Sequence, residues 1–308
     1  MPITPSPAVE RACDVLRYLA RHPDESFSVS GLSKGLAIPR ATCDAILQGL
    51  AAEGFVIRAD DDLRYRLGPS CIAIGDAARL ANSILRATAA EAEQLARDLA
   101  ACTAVSLRDG DESRVAEVFD FGPPFGPRAQ IGQSIPHEPP FGAVYVAWDE
   151  HDADVWIARA GTSLNRAERD RYRHALAEVR HRGYSVNIAS PRRPELVDAL
   201  STLVSQPRAE HARRTRDEVI AELVHGEYLA TDLDATDTLR VSHMSAPVFD
   251  RAGRAVSSIL VLGPEFDITA TEVRVRGNQL VRAAERATAS AGGHAPIARQ
   301  STDGKAFV

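Results

Sequence analysis

The sequence of 308 residues is short of several things, and each shortage excludes a class of protein. Its four cysteines, Cys13, Cys43, Cys71 and Cys102, stand about thirty residues apart. That is neither a zinc spacing nor a dense disulfide framework, so they read as small apolar groups in a reducing compartment. No uninterrupted apolar run approaches the roughly 20 residues of a membrane-spanning helix. Met1 to Arg11 also lacks the charged-then-apolar build of a secretory leader. These absences predict a cytoplasmic protein with no membrane partner. Positive charge is in deficit as well: the formal net charge is -6, which excludes indiscriminate coating of nucleic acid, because that needs many Lys and Arg to neutralise phosphates. There is no His-Glu-x-x-His helix, no phosphate loop and no dinucleotide glycine pattern, so neither catalysis nor a cofactor is expected.

What is present is an ordinary globular composition, 44% hydrophobic and 25% charged, in a chain longer than one domain usually needs. Two domains are expected. Val9, Ala12, Val15, Leu16 and Leu19 recur at spacings of three and four, the stripe of a buried helix that Pro23 ends. Ser28 to Leu36 reads as a short second helix capped by Ser28 or Ser30, although Gly31 costs it about 1 kcal/mol relative to Ala. After Ala37-Ile38-Pro39 comes a third helix, Ala41 to Glu53, turning Cys43, Ile46, Leu47 and Leu50 inward and leaving at Gly54. Phe55 to Arg58 and Leu63 to Leu67 then alternate as hairpin strands around an acidic tip, Asp60 to Asp62.

Helix, helix, turn, helix and hairpin within seventy residues is the pattern of a winged helix-turn-helix, which sets one helix in the major groove and lays the hairpin along the backbone. The expected partner is therefore a double-stranded DNA operator. Off the buried stripe of the third helix lie Arg40, Ala41, Thr42, Asp44, Ala45 and Gln48. Arg40 can donate two hydrogen bonds to a guanine edge, Thr42 can meet a phosphate or a thymine methyl, and Gln48 can pair with adenine. Arg58, Arg64 and Arg66 on the hairpin are suited to phosphates. The alternative is a plain solvated face, and residues 1–80 hold nine basic against ten acidic side chains. Asp60 to Asp62 would repel phosphate, so the tip is expected to point away from DNA.

Cys71 to Leu99 is Ala-rich, Pro-free and helical in period, a linker helix of residues 71–99 with the domain boundary inside it. Beyond it, strands are expected at Thr103 to Arg108, Arg114 to Phe119 and Tyr184 to Ile188. A hairpin is expected from Val241 to Phe249 and Ala255 to Leu262 around Asp250 to Gly253. The loops at Phe121 to Pro127 and Ile131 to Pro140, and the helices at Gly142 to Ala147, Asp149 to Arg159, Ala167 to His181, Pro194 to Val204, Ala209 to His225 and Thr271 to Ser290, complete an irregular alternation. Residues 100–290 are thus α+β rather than a doubly wound sheet, and the polar tail 291–308 is expected to be disordered.

The blocks Pro7-Ala-Val-Glu-Arg-Ala12, Ser28-Val-Ser-Gly-Leu32, Ile38-Pro-Arg-Ala-Thr42 and Tyr65-Arg-Leu-Gly68 resemble the successive blocks of IclR-type transcriptional regulators. Ala246-Pro-Val-Phe-Asp250, Gly253 and Leu262-Gly-Pro264 resemble that family's effector-domain hairpin. The chain departs from the family at Ala45, where a basic residue is usual, at Asp44, and in about forty additional residues from Pro191 to Ala235. The resemblance implies a GAF-like C-terminal domain that binds a small-molecule effector, and a homodimer or dimer of dimers. It also implies a pocket lined by Phe141, Gly142, Ala143, Val241, His243, Leu260 and Leu262.

Family members that bind acids often carry hydroxyls where Leu260 and Leu262 stand, so the resemblance implies an apolar or aromatic effector with one polar group meeting His243. A core histidine and plain core leucines are the alternatives. For the whole chain the alternatives are a metabolite-binding protein with a degenerate reader, and a hydrolase built on the sheet.

Overall fold

The computed structural model describes residues 6–59, 63–124, 128–160, 164–206, 209–226, 228–233, 237–264 and 266–296. It divides into two compact units: Met1–Ser83 with Gly132–Ser134 and Pro191–Glu222, and Ile84–Ile131 with Ile135–Ser190 and Leu223–Val308.

The first unit opens with α1 (Pro7–Arg21), α2 (Val29–Gly35) and α3 (Arg40–Ala52), followed by a two-stranded hairpin of β1 (Val56–Arg58) and β2 (Tyr65–Leu67). Its core is the predicted stripe, Val15, Leu19, Leu32, Cys43 and Leu47, closed by Ile38 from the turn and by Val56 and Tyr65 from the hairpin. Ser28 caps α2, its Oγ accepting from the Gly31 amide at 3.1 Å. Phe27 pairs with Tyr65, which fastens the loop before α2 to the hairpin. The acidic tip Asp60 to Asp62 lies outside the described residues.

The linker differs from expectation. Instead of one helix over 71–99 there are two, α4 (Pro69–Ala81) and α5 (Ser83–Leu99), broken at an extended Asn82. The break follows the burial pattern: α5 puts Leu85, Ala92 and Leu95 into the core of the second unit, whereas α4 buries no residue at all. Ile72, Ile74 and Leu80 on α4 are exposed.

The sheet half is interrupted too. Residues 191–222 cluster with the first unit and not with the sheet that precedes and follows them. They carry α9 (Arg193–Ser205) and most of α10 (Glu210–His225). α9 lies against α1 and buries Leu196, Ala199 and Leu200, one face at three-and-four spacing.

The second unit is built on one six-stranded sheet, in the order β5 (Ser134–Pro136), β4 (Glu112–Asp120), β3 (Cys102–Asp109), β9 (Ala255–Leu262), β8 (Val241–Phe249) and β6 (Ser185–Ile188). β3 with β4, β3 with β9, β9 with β8 and β8 with β6 all pair antiparallel. β5 is a short edge strand within the segment expected to be loop. Val105, Met244, Ala246, Val248, Ile259 and Val261 turn to one face and pack under α5 and α11 (Ala270–Ser290). Gly277 lets α11 descend onto the sheet side, because a Cβ there would stand 2.2 Å from the Tyr184 ring.

The opposite face carries α6 (Ala143–Val146), with α7 (Glu150–Arg159) and α8 (Arg166–Arg182) packed around it. A small ladder of β7 (Thr238–Leu239) and β10 (Ile268–Thr269) completes the strands. The tail expected from Ala291 is ordered as far as Pro296: Gly293 N donates to the Thr288 carbonyl at 2.8 Å and His294 N to Asp250 at 3.3 Å. Residues 297–308 lie outside the described ones.

Candidate functional site

The outer edge of α3 is the first candidate site. Burying Cys43 and Leu47 leaves Arg40, Ala41, Ala45 and Gln48 exposed, with Thr42 and Asp44 half-buried beside them. Arg40 stands at the first turn, where no ion pair holds it among the described residues. Gln48 is differently placed, since its Nε2 donates to Asp44 Oδ2 at 2.8 Å, so each side chain occupies the other. On the hairpin Ile57 pairs with Arg66 and Arg58 with Tyr65, and both arginines are exposed. Arg64 is partly committed, donating from Nη1 to the Ser26 carbonyl at 3.0 Å and so tying the hairpin to the loop before α2. Burial pushes the Cys43 thiol up, as it does for Cys71 and Cys102, which disfavours the reactive thiolate.

Gly31-Leu32-Ser33-Lys34-Gly35 spells the Gly-x-Ser-x-Gly string of a hydrolase nucleophile elbow. That chemistry needs the serine on a tight strand-to-helix turn, whereas Ser33 sits within α2 and donates to the Ile38 carbonyl at 2.7 Å. The string is a helix surface and not an elbow.

The second candidate site is the sheet face turned away from α11. Along β8, His243, Ser245 and Pro247 alternate with the core residues Met244, Ala246 and Val248. Val241 does not join His243, as expected from sequence, but packs in the core. The irregular register between Asn187 and Ile188, opposite Val241, shifts the alternation by one. Leu262 pairs with His243, and Leu260 pairs with both Ala104 and Ser245. Leu260 is covered by Val115, Val118 and Ala129, making it a small core of its own.

Two parts of this face differ in character. Over β3 and β9 it is filled: the Tyr145 hydroxyl lies 2.7 Å from Ser106 Oγ and donates to Ser258 Oγ at 3.2 Å, and the His137 ring stacks on Tyr145 at 4.6 Å. Burial, against those hydrogen bonds, pushes the Tyr145 pKa up to about 12. Over β8 and β6 it is polar: Ser185 and Ser245 hydroxyls meet at 2.8 Å, with buried Asn187 one step along.

Aromatic groups stand beside that polar part. The Phe141 ring meets Tyr228 edge-on at 5.4 Å, and Tyr228 stands 6.5 Å from the His243 ring. Phe141 is fixed by its carbonyl, which accepts from Trp156 Nε1 at 2.7 Å. Gly142 has φ of +77° and leaves room for the His137 ring, 2.7 Å from where a Cβ would be, while Ala143 is buried behind it. The face therefore unites Phe141, His243 and Leu262 but not Val241. It adds Ser185, Asn187, Tyr228 and Ser245, which sequence reasoning missed. Alternation in Ser185-Val-Asn187 and in His243-Met-Ser245 was the signal for three of them.

Residues 8–60 match the model of the IclR helix-turn-helix domain. Over 194 residues, 61% of this chain and 75% of the other, the sequence is 25% identical to the HTH-type transcriptional regulator XynR of Escherichia coli (strain K12). Over 187 residues, 59% of this chain and 72% of the other, it is 27% identical to the glycerol operon regulatory protein of Streptomyces coelicolor. Residues 8–60 thus form an IclR-type helix-turn-helix domain, and the chain is similar to IclR-type transcriptional regulators. Solved IclR structures share its fold over nearly the whole length. The regulator from Alicyclobacillus acidocaldarius superposes with TM-score 0.62 at 20% identity, covering 94% of this chain and 100% of that one. The Thermotoga maritima IclR does so with 0.59 at 16%, covering 92% and 98%. The mixed α+β architecture, with a helix-turn-helix before a sheet domain, is that of these IclR structures. No helix among the described residues is long and apolar enough to cross a membrane.

Proposed function

We propose that this IclR-type chain is a ligand-responsive regulator that reads a short palindromic operator with α3 and senses a small metabolite on the β8 and β6 side of its sheet. The observation that carries the reading is the outer edge of α3, where Arg40 is exposed and free of ion pairs among the described residues above a buried Cys43 and Leu47 stripe. In this reading Arg40 is the base-reading cation, Thr42 meets a phosphate or a thymine methyl, and Ala41 allows close approach. Arg58 and Arg66 neutralise phosphates; Arg64 does so only after leaving Ser26.

The effector has an apolar or aromatic body with one polar end. Phe141, Tyr228 and Leu262 offer it apolar surface, and the Ser185 and Ser245 pair with His243 offers hydrogen bonds. These hydroxyls, one strand over from Leu260 and Leu262, supply the polar end that the leucines lack. A second copy of the chain covers α4, whose Ile72, Ile74 and Leu80 otherwise remain in water. The pair of reading heads then faces a two-fold operator. Effector binding alters DNA affinity to the extent that it prefers one spacing of the heads.

Gel-shift titration against DNA upstream of its own gene, at stated salt, is the test. Arg40→Ala is expected to weaken specific binding by about 1–3 kcal/mol, roughly 5- to 150-fold, and to leave non-specific binding nearly unchanged. Equal, weak binding to every DNA rejects the reading. It would favour a metabolite-binding protein with a degenerate reader, a second reading whose motive is the Asp44–Gln48 pair on the reading edge and the near-neutral charge of the reader.

A further inference from the structure

A recess of about 490 Å³ opens in the sheet-bearing unit; Pro247, at the far end of the same β8 face, lines it, but none of Phe141, Ser185, His243 or Leu262 does. It sits at the free edge of β8. β6 pairs with β8 only as far as Ser245, so the stretch from Ala246 to Phe249 has no strand beyond it among the described residues. An open edge ordinarily invites another strand. Here that is blocked twice: Pro247 has no N–H to give, and the Phe249 amide already donates to Thr288 Oγ1 at 3.2 Å. A peptide adding itself as a strand finds no donor ladder, so the recess suits a compact molecule.

Its walls fix the class of that molecule. Trp148 and Phe249 meet edge-on at 5.1 Å, and Val281 and Ala284 of α11 close the apolar side. Phe249 is itself buried, but Trp148 is only half-buried and keeps aromatic surface in water unless a flat, apolar body covers it. Arg180 and His181, in the last turn of α8, stand at the mouth. The helix dipole accounts for basic residues at that end of a helix but not for their meeting two aromatic walls. Arg182 beside them is spent, donating to the Tyr184 and Ala230 carbonyls at 2.7 and 2.8 Å. Arg180 has no ion pair among the described residues, and neither has Glu285, which lines the same recess. Two opposite charges in one recess that do not neutralise each other ask for an anionic group at one point and a hydrogen-bond donor at another.

We propose that this recess is a second small-molecule site, one that takes an aromatic acid also carrying an amine or hydroxyl hydrogen. The ring lies between Trp148, Phe249 and Val281, the acid faces Arg180 and His181, and the donor faces Glu285.

The probe for the test is 8-anilinonaphthalene-1-sulfonate, an aromatic amine with one anionic group, titrated into the full-length protein. Its emission is followed together with quenching of tryptophan emission, to which Trp148 in the recess wall contributes. Tight binding at one probe per chain is expected, at least tenfold weaker in Ala289→Trp, which fills the recess from an exposed position, and at least tenfold weaker in Arg180→Glu. His243→Ala is expected to change the dissociation constant by less than twofold. Equal affinity in all four proteins overturns the proposal, as does loss confined to His243→Ala, which puts the probe on the effector face. A change of mass by light scattering in Ala289→Trp without probe overturns it in favour of a second copy seated there. Arg180→Glu, at a surface position, keeps the test decisive should Ala289→Trp fail to fold.

Discussion

Acid should destabilise the sheet-bearing unit in part through one imidazole. His137 is 1% exposed, and neither of its ring nitrogens has a hydrogen-bond partner among the described residues. Burial, and then the charges of Arg108 and Arg159, lower its pKa from 6.5 to about 4, against an opposing pull from Asp111. In the unfolded chain the same ring titrates near 6.5. Between those values the unfolded chain binds a proton that the folded chain refuses, so stability present above pH 6.5 is lost as pH falls towards 4. At about 1.4 kcal/mol per pH unit the gap is worth about 3 kcal/mol, a large share of a domain's 5–15. Both tryptophans, Trp148 and Trp156, lie in this unit, so their fluorescence in urea reports its unfolding. Between pH 7 and pH 4 the wild type is expected to lose about 3 kcal/mol more than His137→Gln, since other carboxylates and histidines titrate alike in both. Parallel losses in the two proteins would refute the assignment.

Leu47→Ala removes a fully buried side chain from the core of the reading unit and is expected to cost about 2–5 kcal/mol, read as a lower melting temperature by circular dichroism. Gly142→Ala forces a left-handed backbone on alanine and drives its Cβ into the His137 ring; a loss of at least about 1 kcal/mol in urea is expected, and unchanged stability would show that the turn relaxes freely. Asp44→Ala frees Gln48 and removes a negative charge from the reading edge, so operator affinity should rise several-fold at low salt; a fall would mean that the carboxylate itself holds a base.

The reading half was legible because its signals are local. Three- and four-residue spacing, a capping serine and a hairpin alternation each lie within a dozen residues, and Val15, Leu32, Cys43 and Leu47 meet as their spacing requires. The break at Asn82 was not legible, since Ala-rich sequence on both sides favours helix equally and only the packing of Leu85, Ala92 and Leu95 separates α5 from α4. Nor was the partnership of α9 with α1, which depends on contacts between residues nearly two hundred apart. On the sheet face proposed for the effector, the family resemblance named His243 and Leu262, which pair across β8 and β9, together with Val241, which packs in the core. One irregular register between strands reverses which side Val241 faces, and no sequence period records such a shift.

Salt dependence ties the reading edge to the exposed linker. With nine basic and ten acidic side chains in residues 1–80, a single head has no net attraction for a phosphate backbone, and its contacts must come from few cations. Arg40, Arg58 and Arg66 are the exposed arginines of this head without an ion pair among the described residues. If each neutralises one phosphate, the logarithm of the binding constant should fall with the logarithm of salt at a slope of roughly -3 for one head and roughly -5 for two. Two heads require two chains, and in the proposed reading the exposed apolar residues of α4 are the surface that joins them. Ile72→Asp with Leu80→Asp replaces two exposed residues and spares the folded core, so it should halve the mass in light scattering and bring the slope towards the single-head value together. A halved mass with an undiminished slope would show that the phosphates are met by some other set of side chains, and that the linker joins the chains without joining the two acts of binding.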